Sequence, residues 1–195
     1  LECPEERAPE DVYREMLALF AYSEELGFRG AWVAEHHFSD YGTLGGPAVF
    51  LSALAARTDR LRLGSAISVL PFHDPIRVAE DYALVDVISG GRLDFGVGRG
   101  YQPQEFRGFG VDMSEARSRF LEALDIVEMA WRDGYVDCRG DHFHYDGLKI
   151  RPEPVQTPVP IYIASVSPET FDLVRESGHH IMGSLLTNAR APLAE

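Results

Sequence analysis

Short apolar runs alternate with helical patterns along this chain, and this alternation limits the possible folds more than any other feature of the sequence. The apolar runs predicted to be strands cover residues 30–34, 61–70, 93–97, 161–164 and 181–183. Apolar residues at helical spacing occupy residues 9–26, 47–57, 75–88, 114–131 and 168–177. Strands that alternate with helices form a parallel sheet, because each helix carries the chain back to the start of the next strand. The sequence therefore predicts an α/β protein with either an open doubly wound sheet or part of a (β/α)8 barrel.

Residues 134–160 interrupt this alternation with short aromatic pieces, and the interruption ends among the prolines Pro152, Pro154, Pro158 and Pro160. We expect a surface hairpin there, inserted into a single domain that spans residues 1–195. A complete (β/α)8 barrel takes about 250 residues, whereas this chain has 195. If the sheet curls into a barrel, we therefore expect the domain to be incomplete at both ends.

The balance of charges narrows the possible partners. The chain has 18 basic and 31 acidic residues and a net charge of −13, which disfavours a nucleic-acid backbone or an anionic membrane as partner. No segment has the length and apolar character of a membrane span, and the N-terminus lacks the pattern of a signal peptide. The cysteines Cys3 and Cys138 match no metal or redox spacing, which favours a reducing compartment such as the cytoplasm.

An acid and two imidazoles, Glu35, His36 and His37, stand at the end of the first predicted strand. In α/β barrels the chemistry gathers at the carboxyl ends of the parallel strands. Because side chains alternate along a strand, we expect His36 and His37 to point in opposite directions if the strand stays regular there. We expect no metal site, since the HExxH spacing is absent. The other histidines, His73 among them, are expected to be surface or packing residues.

Two further segments have residue types that bind phosphate. Arg99 lies in a glycine-rich stretch, residues 96–100, that follows a predicted strand but lacks the GxGxxG spacing, and no helix is predicted to open immediately after it. Its guanidinium could hold a phosphate, or the stretch could be a plain loop. Ser167 and Thr170 lie at the predicted start of a helix, where Ser167 could cap the helix or help to bind a phosphate. Residue types alone leave both alternatives open.

Several short motifs together resemble the bacterial luciferase-like family of flavin-dependent monooxygenases, and within it the alpha-subunit type. They are Ala34-Glu35-His36-His37-Phe38, Gly64-Ser65-Ala66 with Leu70-Pro71, Ala79-Glu80-Asp81, Gly91-Arg92 with Phe95-Gly96, Arg99-Gly100, and Phe106-Arg107-Gly108-Phe109-Gly110. The resemblance continues to the end of the chain with few gaps. The family fold is a (β/α)8 TIM barrel, so the resemblance implies that this chain covers about strands two to six of such a barrel.

The resemblance also implies roles for particular residues. His36 matches the family's catalytic histidine, which acts as an acid/base beside the flavin. The Ala66–Ile67 peptide bond matches a non-proline cis bond that lies against the isoalloxazine ring. The residues that match the site of the FMN phosphate are Arg99, Ser167, Thr170 and the backbone of Val166.

Two positions depart from the luciferase pattern. Gly98 stands where luciferase carries a reactive cysteine, and Val166 stands where it carries an acid. In addition, Ile67 is bulkier than the residue expected at the cis bond. The differences at Gly98 and Val166 disfavour light emission more than they disfavour flavin monooxygenation.

The resemblance implies a monooxygenase that takes reduced FMN from a separate flavin reductase and uses O2 to oxygenate a small organic molecule such as an aldehyde. Two alternatives stay open: an oxidoreductase of the same superfamily that uses a deazaflavin, and a non-catalytic flavin-binding or subunit-like protein. His36 favours catalysis, whereas an incomplete barrel favours the supporting role. Because the family pairs through helices near the chain's beginning, we also expect a homo- or heterodimer.

Overall fold

The computed structural model describes residues 7–40, 42–165 and 168–183. Its helices are α1 (Pro9–Glu25), α2 (Pro47–Ala55), α3 (Pro75–Ser89), α4 (Pro103–Phe109), α5 (Ala116–Asp133) and α6 (Pro168–Ser177). Its strands are β1 (Gly30–Val33), β2 (Arg62–Ser65), β3 (Ser68–Val69), β4 (Leu93–Gly98), β5 (Tyr135–Arg139), β6 (His144–Lys149), β7 (Ile161–Ser165) and β8 (His180–Gly183). Two 3₁₀ helices, Leu70–Phe72 and Met113–Glu115, precede α3 and α5. None of the helices in these ranges is long and apolar enough to cross a membrane.

The main sheet is parallel, and its strands follow one another in the order β1-β2-β4-β7-β8, with the short β3 paired to β4. A doubly wound sheet reverses its strand order at its middle. A barrel instead adds each new strand beside the one before it in the chain. The observed order is therefore that of a partial (β/α) barrel, which agrees with the fold class expected from the sequence.

The core lies between the sheet and the helices that cover its outer face. Leu63, Phe95 and Ile163 are fully buried on neighbouring strands. The ring of Phe95 contacts Tyr82 of α3 and Trp131 of α5, with ring centroids 4.5 and 5.0 Å apart. Burial of each large apolar side chain stabilises the fold by about 1.5–3 kcal/mol. The helical periodicity of the sequence therefore corresponds to the faces that α3 and α5 bury against the sheet.

Two elements differ from the prediction. The second predicted strand, residues 61–70, is divided into β2 and β3, with a cis peptide bond between Ala66 and Ile67 in the interval. A short helix, α4, follows the glycine-rich stretch where the sequence predicts none. It begins at Pro103 and is followed by Gly110 with a left-handed φ of 68°. Its 7 residues are too few to reveal a helical period in the sequence.

β5 and β6 pair antiparallel within the stretch predicted to be a surface hairpin. The chain that follows them is held to α3 by Asp86, whose side chain is fully buried. The Asp86 carboxylate accepts hydrogen bonds from the backbone N–H groups of Val155 and Gln156, at 2.7 and 2.9 Å. It also accepts one from the side-chain amide of Gln156 at 2.7 Å. Because a buried carboxylate is tolerated only when donors satisfy it, Asp86 fixes the segment that leads into β7.

We predict that Asp86→Ala lowers the free energy of unfolding by about 3 kcal/mol, because buried N–H donors then lose their acceptor. Urea denaturation of the two proteins measures this difference. A matched control is Asp133→Ala, since Asp133 pairs with its neighbour Arg132 at the protein surface. Equal losses of stability in the two variants would show that Asp86 has no special part in holding this segment.

Candidate active site

A cavity opens where the chain leaves the carboxyl ends of the central strands. Five of the side chains that line it are Ile67, Arg99, Arg117, Ala164 and Thr170. Ile67 follows β2, Arg99 follows β4, and Ala164 lies near the end of β7. Arg117 and Thr170 belong to the first turns of α5 and α6. The parallel sheet therefore gathers residues from five separate segments around one space.

The two arginines give the cavity a positive character. Arg99 is exposed and Arg117 is half-buried. Within the described ranges, neither guanidinium forms an ion pair with a carboxylate. Two cations beside a threonine form a setting that suits an anion with several oxygens, such as a phosphate. Arg117 is not predicted from the sequence, because an arginine near the start of an amphipathic helix carries no signal that separates it from other surface arginines.

The cis peptide bond expected at Ala66–Ile67 is present, and the Ile67 side chain lines the cavity. A Cβ atom at Gly98 would lie 2.3 Å from the δ-methyl group of Ile67 and 3.3 Å from the Cβ of Ala164. The bulky residue at position 67 therefore occupies the space that a side chain at position 98 would need. The two unusual residues found at these positions in the sequence are thus sterically coupled.

His36 lies beside this cavity, held by groups that contact its Nδ1 atom. Nδ1 is 3.2 Å from a carboxylate oxygen of Glu105 and 2.8 Å from the side-chain nitrogen of Gln102. A protonated Nδ1 can donate to Glu105, and an unprotonated Nδ1 can accept from Gln102. Gly42 lets the chain pass close to the ring, since a Cβ there would lie 2.9 Å from His36 Cδ2. The imidazole is thus oriented in either protonation state of Nδ1.

A second buried carboxylate, Glu35, lies one residue before His36 and is 2% exposed. Its Oε1 accepts hydrogen bonds from the Nε2 atoms of His37 and His73, at 2.9 and 2.7 Å. Its Oε2 accepts one from the backbone N–H of Val69 at 3.0 Å. Burial raises the pKa of Glu35, but the hydrogen bonds from His37 and His73 outweigh it and hold the pKa at about 2.

These contacts correct the view of His73 as a surface or packing residue, because it binds the buried carboxylate directly. The ligand atoms of Glu35, His37 and His73 lie within 4.8 Å of one another, a spacing that a metal ion could bridge. The imidazole hydrogen bonds already satisfy the carboxylate, so the absence of a metal site remains our expectation. Because β1 ends at Val33, His36 and His37 lie beyond the regular strand, and their side chains contact different carboxylates, those of Glu105 and Glu35.

The structure brings together some of the predicted site residues and separates others. Ile67, Arg99 and Thr170 line one cavity, and Ala66 directly precedes Ile67 in the chain. His36 is outside this lining, but its ring lies 6.5 Å from that of Tyr101, a lining residue. The predicted phosphate-site residues that lie outside the described residues are Val166 and Ser167.

An aromatic cluster borders His37. Phe72 and Phe109 stack with their ring centroids 4.9 Å apart. Phe109 also contacts His37 at 4.7 Å and Phe38 at 5.0 Å. Phe38 is 62% exposed, so part of the cluster faces solvent. The histidine segment therefore has aromatic surface beside it, in addition to the cationic cavity.

Comparison with known proteins shows the family to which this chain belongs. A model of the luciferase-like monooxygenase family matches residues 3–195. The alkanal monooxygenase alpha chain of the Kryptophanaron alfredi symbiont is 34% identical over 186 residues, which cover 95% of this chain and 52% of that relative. The oxygenase component of the flavin-dependent trigonelline monooxygenase of Acinetobacter baylyi is 28% identical over 180 residues, which cover 91% of this chain and 50% of that relative.

A solved structure agrees with these sequence relatives. The monooxygenase RslO1 from Streptomyces bottropensis matches this fold with a TM-score of 0.89 and 34% identity, over 93% of this chain and 56% of that one. The chain therefore belongs to the luciferase-like monooxygenase family. It spans about half the length of the relatives it matches.

The contact between Glu35 and His73 makes the stability of the fold depend on pH, and the two groups lose their contributions at opposite ends of the pH range. Because the folded pKa of Glu35 is about 2 against an ordinary 4.5, its contribution is present above pH 4.5 and is lost as the pH falls toward 2. Burial lowers the pKa of His73, but the hydrogen bond and charge of Glu35 raise it above the ordinary 6.5. The contribution of His73 is therefore present below pH 6.5 and is lost as the pH rises through the folded value.

We predict that His73→Asn removes a measurable part of the alkaline loss of stability. The measurement is the free energy of unfolding by urea at about pH 6 and about pH 9, on either side of the ordinary histidine range. The parent chain should lose more stability between these two conditions than the variant does. Equal losses in both proteins would contradict the assigned interaction between His73 and Glu35.

Proposed function

We propose that this chain binds reduced FMN in the cavity beside His36 and uses O2 to oxygenate a small organic molecule. The observation that carries this proposal is the meeting of Arg99, Arg117 and Thr170 with the Ala66–Ile67 segment around one space. A cationic region next to an apolar wall fits a cofactor that has a phosphate at one end and a flat ring system at the other. Membership of the luciferase-like monooxygenase family supports the same cofactor class.

The phosphate of FMN is proposed to bind at the cationic end of the cavity. Arg99 and Arg117 would supply charge-assisted hydrogen bonds, and Thr170 would add its hydroxyl group. The first turn of α6 adds the positive end of a helix dipole. By the family resemblance, Ser167 and the backbone of Val166 complete this group.

The ring system is proposed to lie against Ala66 and Ile67. Because Ile67 fills the space above Gly98, the ring would meet an aliphatic surface and no side chain from position 98. When bound, the flavin supplies the electrons and the reaction with oxygen. The residues of the chain hold the cofactor in place and exclude water from it.

His36 is proposed to move a proton during the reaction. An imidazole can both accept and donate a proton through its ring nitrogens, which suits this task. Glu105 is 2% exposed and Gln102 is also buried, so the two side chains that hold Nδ1 are themselves fixed in the fold. A base oriented by a buried carboxylate is a recurring arrangement for proton transfer. Glu105 and Gln102 would act here as positioning residues for His36.

The proposed substrate is an apolar organic molecule, with an aldehyde as the first candidate. The exposed aromatic cluster around Phe38 and Phe109 supports an apolar substrate, because it offers carbon surface next to His37. One relative is named an alkanal monooxygenase alpha chain, which supports the aldehyde class.

Two partners are proposed in addition to the substrate and oxygen. A separate flavin reductase would supply reduced FMN, and the relative named as an oxygenase component supports this division of labour.

A dimer is proposed because apolar side chains on the adjacent helices α1, α2 and α3 face solvent: Leu19, Tyr22, Val49, Leu84 and Ile88. Analytical ultracentrifugation tests this point. The free thiol of Cys138 suits the proposed cytoplasmic location.

We predict that Arg117→Ala weakens FMN binding by about tenfold or more, the value of a hydrogen bond to a charged group. Binding of riboflavin, which lacks the phosphate, should change little. Quenching of flavin fluorescence measures both affinities. The control is Arg132→Ala, since Arg132 lies near the other end of α5 and pairs with Asp133. Equal weakening of FMN and riboflavin would contradict phosphate binding by Arg117.

We predict that His36→Asn lowers oxygen-dependent turnover with a straight-chain aldehyde by about a hundredfold or more. Affinity for FMN should fall only slightly, because the proposed role is proton transfer and not cofactor binding. The control is His144→Asn, an exposed histidine on β6. Comparable losses of turnover and of FMN affinity would refute the proposed role.

The two alternatives lead to other results in the same experiments. Tighter binding of a reduced deazaflavin than of reduced FMN, without oxygen use, would favour a deazaflavin-dependent oxidoreductase. Binding of FMN with no oxygen-dependent turnover of any aldehyde would favour a non-catalytic flavin-binding or subunit-like protein.

A further inference from the structure

We propose that Glu35 is a positioning residue that joins the two walls of the site and sets the distance between them. One wall is the histidine segment, His36 and His37, and the other is the Ala66–Ile67 segment. Glu35 is not proposed to touch the flavin or the substrate. The inference rests on the proposed function, because it assigns the flavin to the space between these two walls. Glu35 is a buried acid that has no role in the proton transfer proposed for His36.

The carboxylate accepts hydrogen bonds from three points along the chain. Oε1 accepts hydrogen bonds from His37, which directly follows His36, and from His73 before α3. Oε2 accepts from the backbone N–H of Val69, two residues after Ile67. The carboxylate therefore links the histidine segment to the stretch of chain that follows Ile67. A movement of Glu35 would shift the histidine segment and the Ile67 segment relative to each other.

His36 is held between two such acids. Glu35 precedes it, and Glu105 accepts a hydrogen bond from the backbone N–H of His37 at 2.9 Å, besides its contact with His36 Nδ1. Both acids are 2% exposed. Because few water molecules can reach these carboxylates, the donors of the protein fix their positions. The chain on both sides of the proton-transferring residue is thus anchored to buried charge.

The groups around Glu35 keep its charge in place. His37 and His73 donate hydrogen bonds to it, and the charge of Asp81 also acts on His73. Burial raises the pKa of Tyr82, and the charge of Glu35 adds to this rise, so the phenol remains neutral beside the carboxylate. A neutral glutamine in place of Glu35 would have one acceptor and one donor where the structure needs acceptors on both sides. Either Val69 or the imidazoles would then lose their partner.

The test compares the parent chain with Glu35→Gln and with the control Glu80→Gln. Glu80 lies on α3, and its carboxylate pairs with Arg77 on the protein surface. The control removes the same charge by the same substitution. The first readout needs no flavin: hydrogen exchange at the Val69 amide and the NMR signals of the His36 ring. The second readout is the affinity for FMN, measured at a temperature at which near-ultraviolet circular dichroism shows all proteins folded.

For Glu35→Gln we expect exchange at Val69 to be at least about tenfold faster and FMN binding about tenfold weaker, as for the loss of a hydrogen bond to a charged group. The His36 signals should shift, and Glu80→Gln should match the parent in every readout. If Glu35→Gln fails to fold, Glu35→Asp decides the question, because it keeps the charge but shortens the side chain by one carbon–carbon bond. The same changes are then expected.

Parent-like exchange at Val69 and parent-like FMN affinity would overturn the proposal. A loss of stability with unchanged affinity in the folded protein would also overturn it, since that result indicates a purely structural role. If the parent chain itself fails to bind FMN, the proposed function fails. In that case the exchange rate and the His36 signals of the flavin-free protein still decide whether Glu35 joins the two walls.

Discussion

The candidate site depends on the parallel pairing of β1, β2, β4 and β7, because this pairing brings the carboxyl ends of the strands to one edge of the sheet. The returning helices cover the outer face and leave that edge open, as in other barrels of this kind. Ile67, Arg99 and Thr170 are far apart in the sequence, yet they line one cavity for this reason. The order of the strands thus determines which residues can act together.

Buried carboxylates restrain the positions of the site residues at this edge of the sheet. Glu35 and Glu105 both contact the histidine segment: Glu105 contacts His36 and His37, and Glu35 accepts hydrogen bonds from His37, Val69 and His73. An ionised carboxylate in a protein interior costs several kcal/mol unless donors offset it. Donors that offset the cost must keep their positions, so the same contacts that stabilise the charge also restrain His36 and the segment after Ile67.

Local patterns in the sequence predict the elements well, because the spacing of apolar residues reports burial directly. The strand-end rule and the motifs select His36, Arg99 and Ile67 as site residues. They do not select Arg117 or His73, because a side chain that reaches a site from a neighbouring helix or turn leaves no periodic signal. The helix α4 also escapes prediction, since 7 residues between a proline and a glycine show no period. The steric link between Gly98 and Ile67 is a tertiary contact that single positions cannot reveal.

The central claim is that this cavity binds reduced FMN and controls its reaction with oxygen. The most direct measurement is an anaerobic titration of the chain with reduced FMN, followed by admission of oxygen while the absorbance spectrum is recorded. The account predicts saturable binding and, after oxygen is admitted, a flavin spectrum that differs for a time from both the reduced and the oxidised forms. Failure to bind, or oxidation indistinguishable from that of free reduced FMN, would contradict it.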